Sequence, residues 1–258
     1  MKKCFLMIIL LLFLLSACQR KELLLVTTTS VENSGLLEYL LPYFEKQYNI
    51  NVKVIAVGTG AALRLGELGE ADILIVHDRQ REIDFMDANY GKRHSPLMVN
   101  DFIFVGPRPL NTESLDVFLQ ALISQEHFFS RGDYSGTHSR ELALWEAFNF
   151  DVGLFGSRYK ETGQSMESTL MMASHKGYYT LTDRGTYLAM QASLDLMIVY
   201  ENHPQLINEY GVIKVNRSLH NRDYELANLL FDWLISDEAK KLINDYRINN
   251  QQLFYAYE

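Results

Sequence analysis

Seven consecutive residues, Arg131-Gly132-Asp133-Tyr134-Ser135-Gly136-Thr137, combine a permanent cation, two hydroxyls and two glycines. The run from His138 to Phe150 reads as a helix. A glycine- and hydroxyl-rich turn entering a helix presents unpaired backbone N–H groups and the positive end of the helix dipole. The Arg131 guanidinium adds donors whose fork matches an oxyanion. This is chemistry for a small tetrahedral anion, with Arg131, Ser135, Gly136 and Thr137 as candidate ligands. A second hydroxyl turn, Thr27-Thr28-Thr29-Ser30, follows the first apolar run. Four consecutive hydroxyl residues exceed what one helix cap uses, so Thr28, Thr29 and Ser30 are candidates too. Thr59, between Gly58 and Gly60, repeats the arrangement, with binding and a structural turn both open.

Other polar clusters carry weaker signals. Asp133 either orients Arg131 or accepts a proton from a protonated anion. Gly163 to Thr169 reads as a capped helix start, with Ser165 or Ser168 as the cap. Arg184 either faces a cleft or pairs with Asp183 or an opposite lobe. Asp133, Ser135 and His138 are the residue types of a hydrolase triad, but they crowd together and no GxSxG elbow is present. No catalytic role is expected. His138 and Glu141 share a helix face with no third ligand at a telling spacing, so no metal site is expected. Neither a GxGxxG fingerprint nor a P-loop is complete, and no cofactor is expected.

These turns need a frame. Leu23–Val26, Asn51–Val57 and Asp72–Val76 read as strands, with helices at Gly35–Tyr48 and Ala61–Leu68 between them. Pro42 is expected to kink or divide the first helix. Strands separated by single helices argue for a parallel sheet with helices on its faces. Asp101–Val105 is a further strand, and Gly106-Pro107-Arg108-Pro109 after it reads as a crossover into a second lobe. That lobe holds helices at Ser114–Ser124, His138–Phe150 and Ser168–His175 and a strand at Tyr178–Thr182. Asp195–Tyr200 and Val212–Val215 read as strands returning to the first lobe, where helices Asp223–Leu234 and Asp237–Tyr246 pack. The expected fold is α/β, with two lobes and a ligand cleft beyond the carboxyl ends of the strands.

The N-terminus reads as a targeting segment. Met1-Lys2-Lys3 is basic, Phe5–Leu15 is apolar but short for a membrane span, and Leu15-Ser16-Ala17-Cys18 has the form of a bacterial lipobox. Residues 1–17 are expected to leave as a signal peptide, Cys18 to carry lipid, and 18–22 to form a tether on the extracytoplasmic face. Cys4 leaves with the signal, so the mature domain keeps no structural thiol. The organisation expected is 23–100 with 201–258 as lobe 1 and 101–200 as lobe 2. The chain is acidic, at −8 formal charge, and has no basic run, so no nucleic-acid partner is expected.

Taken in order, Thr27–Ser30, Ser34–Leu37, Val57–Leu63, Ala71–His77, Asn100–Phe102, Val105–Pro107, Ser130–Asp133, Ser135–His138 and Leu181–Arg184 resemble the tungstate-binding proteins of ABC importers. The resemblance runs from about Leu23 past Thr186. It implies a type II periplasmic-binding-protein fold in which two lobes close on tungstate, or molybdate, by hinge motion. It also implies a permease and an ATPase as partners of a monomeric binding protein. The family's TTTS turn falls on Thr27–Ser30, its SRGD arginine on Arg131, and its SGT portion on Ser135 to Thr137. The chain departs from the pattern at Tyr134, where a second acidic residue is usual. It departs again at Ser165 and Glu167, where the expected run is Gly-Gln-Gly-Met-Gly. A carboxylate at 167 opposes an anion unless it points away. The alternative readings are a binding protein for phosphate or another tetrahedral oxyanion, and an extracytoplasmic oxyanion sensor lipoprotein.

Overall fold

A computed structural model describes residues 21–110, 112–220 and 225–258. The expected signal peptide, Cys18 and most of the expected tether lie outside these residues.

The alternation of apolar residues explains the layers. In β1 (Lys21–Thr28), Leu25 and Val26 enter different buried clusters. In β3 (Ile73–Val76), Ile73 and Ile75 join the first of these clusters while Leu74 and Val76 join the other. Successive strand side chains point to opposite faces. A strand covered on both faces must therefore be apolar throughout, as Ile73-Leu74-Ile75-Val76 is. A third cluster, built on Phe104, Phe118, Phe128, Trp145 and Tyr179, fills the other half of the molecule.

The remaining strands of three or more residues are β2 (Ile50–Val57), β4 (Gly91–Gly106), β5 (Phe128–Ser130), β6 (Tyr159–Glu161), β7 (Tyr179–Asp183), β8 (Met197–Tyr200) and β9 (Ile207–Val215). Their order across the sheet is β2-β1-β3-β9-β4-β7-β5-β6, with β8 also on β4. β1 runs parallel to β2 and β3, and β5 runs parallel to β6 and β7. β9 is antiparallel to both β3 and β4, and β4 is antiparallel to β7. The sheet is therefore mixed, which corrects the all-parallel expectation. Two long strands that run back along the molecule join the two parallel sets.

β4 makes that junction. Residues from Gly91 to Asp101 pair with β9, and Phe102 to Val105 pair with β7. The change of partner falls inside one strand, between Asp101 and Phe102. The Gly106–Pro109 cluster instead leads out of β4 toward the helix Leu115–Gln125, so the crossover lies upstream of it. β8 pairs with the far part of β4, from Phe104 to Gly106, and does not return to the strands around β1. Only β9 does. A Cβ at Gly106 would lie 2.2 Å from Tyr179 Cδ1, which is why the strand ends on a residue without a side chain.

Helices follow the strands. Leu36–Tyr48 buries Leu36, Leu37, Leu40, Leu41 and Phe44 on one face. Pro42 sits inside this helix without dividing it. Pro42 is exposed, so the turn around it faces water, which can serve a carbonyl left without its donor. Arg79–Asp87 is a helix that the apolar pattern does not reveal, because its inward residues are Phe85 and the carboxylate of Glu82. The others are Thr29–Asn33, Thr59–Glu67, Gly136–Ala147, Met166–Lys176, Arg184–Met190, Glu225–Leu234 and Asp237–Asp245.

Candidate functional site

Six strand-to-helix junctions meet at one small cavity. It is lined by Thr28, Thr29, Ser30, Gly58, Thr59, His77, Arg131, Ser135, Gly136, Thr137, Met166, Glu167, Asp183 and Thr186. All eight residues singled out from the sequence lie on this wall. The open space is about 20 Å³, on a measure by which one water occupies about 10–15 Å³. The N-termini of helices Thr29–Asn33, Thr59–Glu67, Gly136–Ala147, Met166–Lys176 and Arg184–Met190 converge there, so their partial positive charges add.

The first two helices carry no side-chain cap. Thr28 and Gly58 occupy the N-cap positions without a capping hydrogen bond. Their leading N–H groups are therefore not taken by their own caps. Thr28 Oγ1 lies 3.0 Å from Ser30 Oγ, and Thr27 instead donates to the Ile75 carbonyl at 3.0 Å, inside the sheet. Thr59 is buried, and its Oγ1 has no partner. The other three helices are capped by Ser135, Ser165 and Asp183. Ser135 thus has two roles, since it lines the cavity and accepts from His138 N at 3.4 Å.

Arg131 leaves β5 at Ser130. Its side chain is 11% exposed, and one Nη pairs with Asp133. The other Asp133 oxygen accepts from Ser135 N at 3.1 Å. Burial pushes the Asp133 carboxyl up, but the Ser135 hydrogen bonds and the Arg131 charge outweigh it and hold the group below its usual range. Both Asp133 oxygens are engaged in aiming the turn, and Asp133 is not on the cavity wall. Arg131 Nε is buried without a partner. A buried donor left unpaired costs about 1–3 kcal/mol. Arg131 Nε and Thr59 Oγ1 are two such groups on one wall. Gly132 has φ +61, and a Cβ there would lie 2.5 Å from Glu161 Cβ, so the turn after Arg131 requires glycine.

Five wall residues besides Met166 were not among those candidates: Gly58, His77, Glu167, Asp183 and Thr186. His77 ends β3 and accepts or donates through Nδ1 with Asn208 Oδ1 at 2.9 Å. Burial pushes its pKa down to about 4. The signal for it was its position just past a buried strand. Asp183 closes β7, and its two oxygens take Thr186 N at 2.9 Å and Thr186 Oγ1 at 2.7 Å. Burial raises its pKa, and the Glu167 charge adds to this. Glu167, in the departing Gly163–Glu167 run, is half-buried and lines the cavity, and its charge reaches Asp183. Tyr134, the other departure, is 73% exposed and off the wall.

Arg184 is not on this wall. It forks onto Asp101 at 2.6 Å and also meets Glu201 at 2.5 Å, clamping the point where β4 changes partners. The supposed triad residues are occupied elsewhere: His138 Nδ1 accepts from Tyr134 N at 3.0 Å, and Ser135 Oγ accepts from the His138 backbone. Glu141 is buried against Tyr159 Oη and Trp145 Nε1 rather than paired with His138.

Gly136 admits a direct test. A Cβ at this position would lie 2.3 Å from His77 Cε1. Forcing a methyl into such a contact costs about 1–3 kcal/mol. Gly136→Ala is expected to lower the midpoint in thermal denaturation by several degrees, since ~1 kcal/mol shifts a domain of this size by about 2–4 °C. An unchanged midpoint would show that the His77 ring yields freely.

Residues 16–238 match the PBP superfamily domain. The chain is 44% identical over 228 residues to the tungstate-binding protein TupA of Peptoclostridium acidaminophilum, covering 84% of this chain and 78% of the relative. Its fold superposes on the tungstate-binding protein TupA of Desulfovibrio alaskensis G20 with a TM-score of 0.82, at 36% identity over 92% of this chain and 99% of the other. The structure of the tungstate ABC transporter from Geobacter sulfurreducens gives 0.80, at 42% identity over 87% and 98%. The chain belongs to the tungstate-binding protein family of the PBP superfamily.

Proposed function

We propose that the protein is the extracytoplasmic binding component of an ABC importer and that it captures tungstate in the six-junction cavity. The observation that carries this reading is the pair of buried, unpartnered donors, Thr59 Oγ1 and Arg131 Nε, on a wall of helix N-termini. Thr28, Thr29, Ser30, Thr59, Arg131, Ser135, Gly136 and Thr137 are the ligands. Their hydroxyls and N–H groups replace the hydration shell of the anion, and Arg131 supplies the countercharge. The set is rich in donors, which suits an anion without protons, and molybdate is the nearest competitor because it has the same charge and shape. Residues 23–100 with 201–258 form one lobe and 101–200 the other, hinged at β4 and β9. The protein works as a monomer, tethered to the membrane by a lipid on Cys18, and hands the anion to a permease and its ATPase. No bond is made or broken.

The test is a thermal-shift screen of the protein against tungstate, molybdate, sulfate, phosphate and chromate. Ligand at ~1,000 times its dissociation constant adds about 4 kcal/mol of stability. For a protein of this size the expected shift is about 8–16 °C with tungstate, smaller with molybdate and absent with phosphate. A shift with phosphate alone would move the reading to a phosphate carrier. No shift with any of the five would end the oxyanion reading.

A further inference from the structure

His77 stands between the small cavity and a larger cleft of about 450 Å³ lined also by Asp78, Arg79, Arg140, Asn208 and Glu209. Its tautomer is fixed from behind. Asn208 Nδ2 donates to Asn100 Oδ1 at 2.8 Å and to Tyr210 Oη at 2.9 Å. With the amide so placed its oxygen faces His77, and Nδ1 carries the hydrogen. In the neutral ring Nε2 is then a bare lone pair, and no protein group bonds to it among the described residues. No side chain separates the ring from the start of helix Gly136–Ala147, because position 136 is glycine.

His77 lines the cavity, and a bare lone pair on its ring repels an anion that has no proton to offer. The same nitrogen, once protonated, is a charged donor. We propose that His77 is a proton-linked ligand of the cavity: when a tetrahedral dianion binds, Nε2 takes one proton from solvent and, as the imidazolium, donates an N–H hydrogen bond to an anion oxygen. This rests on the oxyanion reading of the site.

The groups around the ring fit such a device. Burial holds His77 neutral and Arg140 adds to this, while the Asn208 hydrogen bond and the Asp78 charge favour the proton. Arg131, Glu167 and Asp183 share the cavity wall, Arg79 and Glu209 share the cleft, and Tyr210 and Phe102 pack on the ring. A bound dianion adds two negative charges to this balance, enough to favour the protonated ring. In the free protein His77 is neutral near physiological pH, so protonation occurs only with binding.

The experiment is calorimetric titration of the protein with tungstate at one pH, in two buffers of different ionisation enthalpy, repeated with His77→Gln and Glu167→Gln. Gln offers a neutral amide donor near the place of Nε2. The expected result is uptake approaching one proton per anion in the wild type at about pH 6.5. Where uptake is complete, affinity falls about tenfold per unit rise in pH. His77→Gln binds with no uptake, and Glu167→Gln keeps it. The imidazole Cε1–H signal of His77 in the unmodified protein should move to its protonated position on adding tungstate, which reads the claim without any variant. Buffer-independent heat of binding in the wild type overturns the proposal. So does uptake that survives His77→Gln, or that disappears in Glu167→Gln alone. Absence of both binding heat and thermal shift overturns the oxyanion reading itself, and this inference with it.

Discussion

Arg131→Ala is expected to weaken tungstate binding about thirty- to several-thousand-fold, because truncating one partner of a buried, hydrogen-bonded charge pair costs about 2–5 kcal/mol. Three observations fix the direction. The side chain is almost enclosed, one nitrogen is held by Asp133, and Nε has no protein partner. In the free protein Arg131→Ala gives up the Asp133 pair but also removes an unsatisfied donor. Its stability should change far less than its affinity. Arg131→Lys keeps the charge but loses the fork, and should recover only part of the binding. Titration calorimetry on the three proteins separates these cases. An Arg131→Ala variant that binds as tightly as the wild type would remove the guanidinium from the site.

The second large effect lies away from the cavity. Burial raises the pKa of Glu141 to about 7, although Tyr159 Oη, Trp145 Nε1 and the Ser130 hydroxyl each favour the ionised form. The folded protein therefore binds this proton where the unfolded chain, with a reference value of 4.5, has lost it. Stability from this group is complete below about pH 4.5 and is lost as pH rises toward 7, by about 3 kcal/mol in all. Glu141→Gln keeps an acceptor for Tyr159 and cannot ionise. It should match the wild type near pH 4.5 and exceed it by about 3 kcal/mol above pH 8. His77 acts the other way. Its depressed pKa of about 4 makes stability rise with pH from there to its reference value of 6.5. Only the difference between wild type and variant isolates Glu141. Urea denaturation across that range is the measurement, and parallel curves for the two proteins would contradict the assignment.

Much of the site was legible in the sequence because its signals are local. Hydroxyls and glycines that follow an apolar run and precede a helix mark a strand-to-helix junction, and Thr28 to Ser30, Thr59 and Ser135 to Thr137 all have that form. That these junctions share one cavity follows from the two parallel sets running in opposite directions along β4, so that their carboxyl ends face each other. What was missed depends on long-range placement. Asn208 defines the His77 tautomer from 131 positions away in the sequence. Asp183 and Thr186 face the wall only because β7 pairs with β4. The helix Arg79–Asp87 hides a buried carboxylate behind a polar sequence, where Glu82 meets His94 at 2.8 Å. The Gly/Pro cluster, a strong local breaker, drew the crossover reading, whereas β4 changes partner inside a continuous strand, next to the division expected at 100/101. No local residue type marks that point. Its marker is the Arg184 clamp on Asp101 and Glu201, assembled from three separate segments.

The most direct test of the central claim is a crystal structure of the protein grown with tungstate, with the tungsten located by its anomalous scattering. The account predicts one strong peak in the cavity, with oxygens within hydrogen-bond reach of Thr28, Thr29, Ser30, Thr59, Arg131 and the Ser135–Thr137 turn. A peak placed elsewhere on the protein, or a cavity holding only water at saturating tungstate, would contradict it.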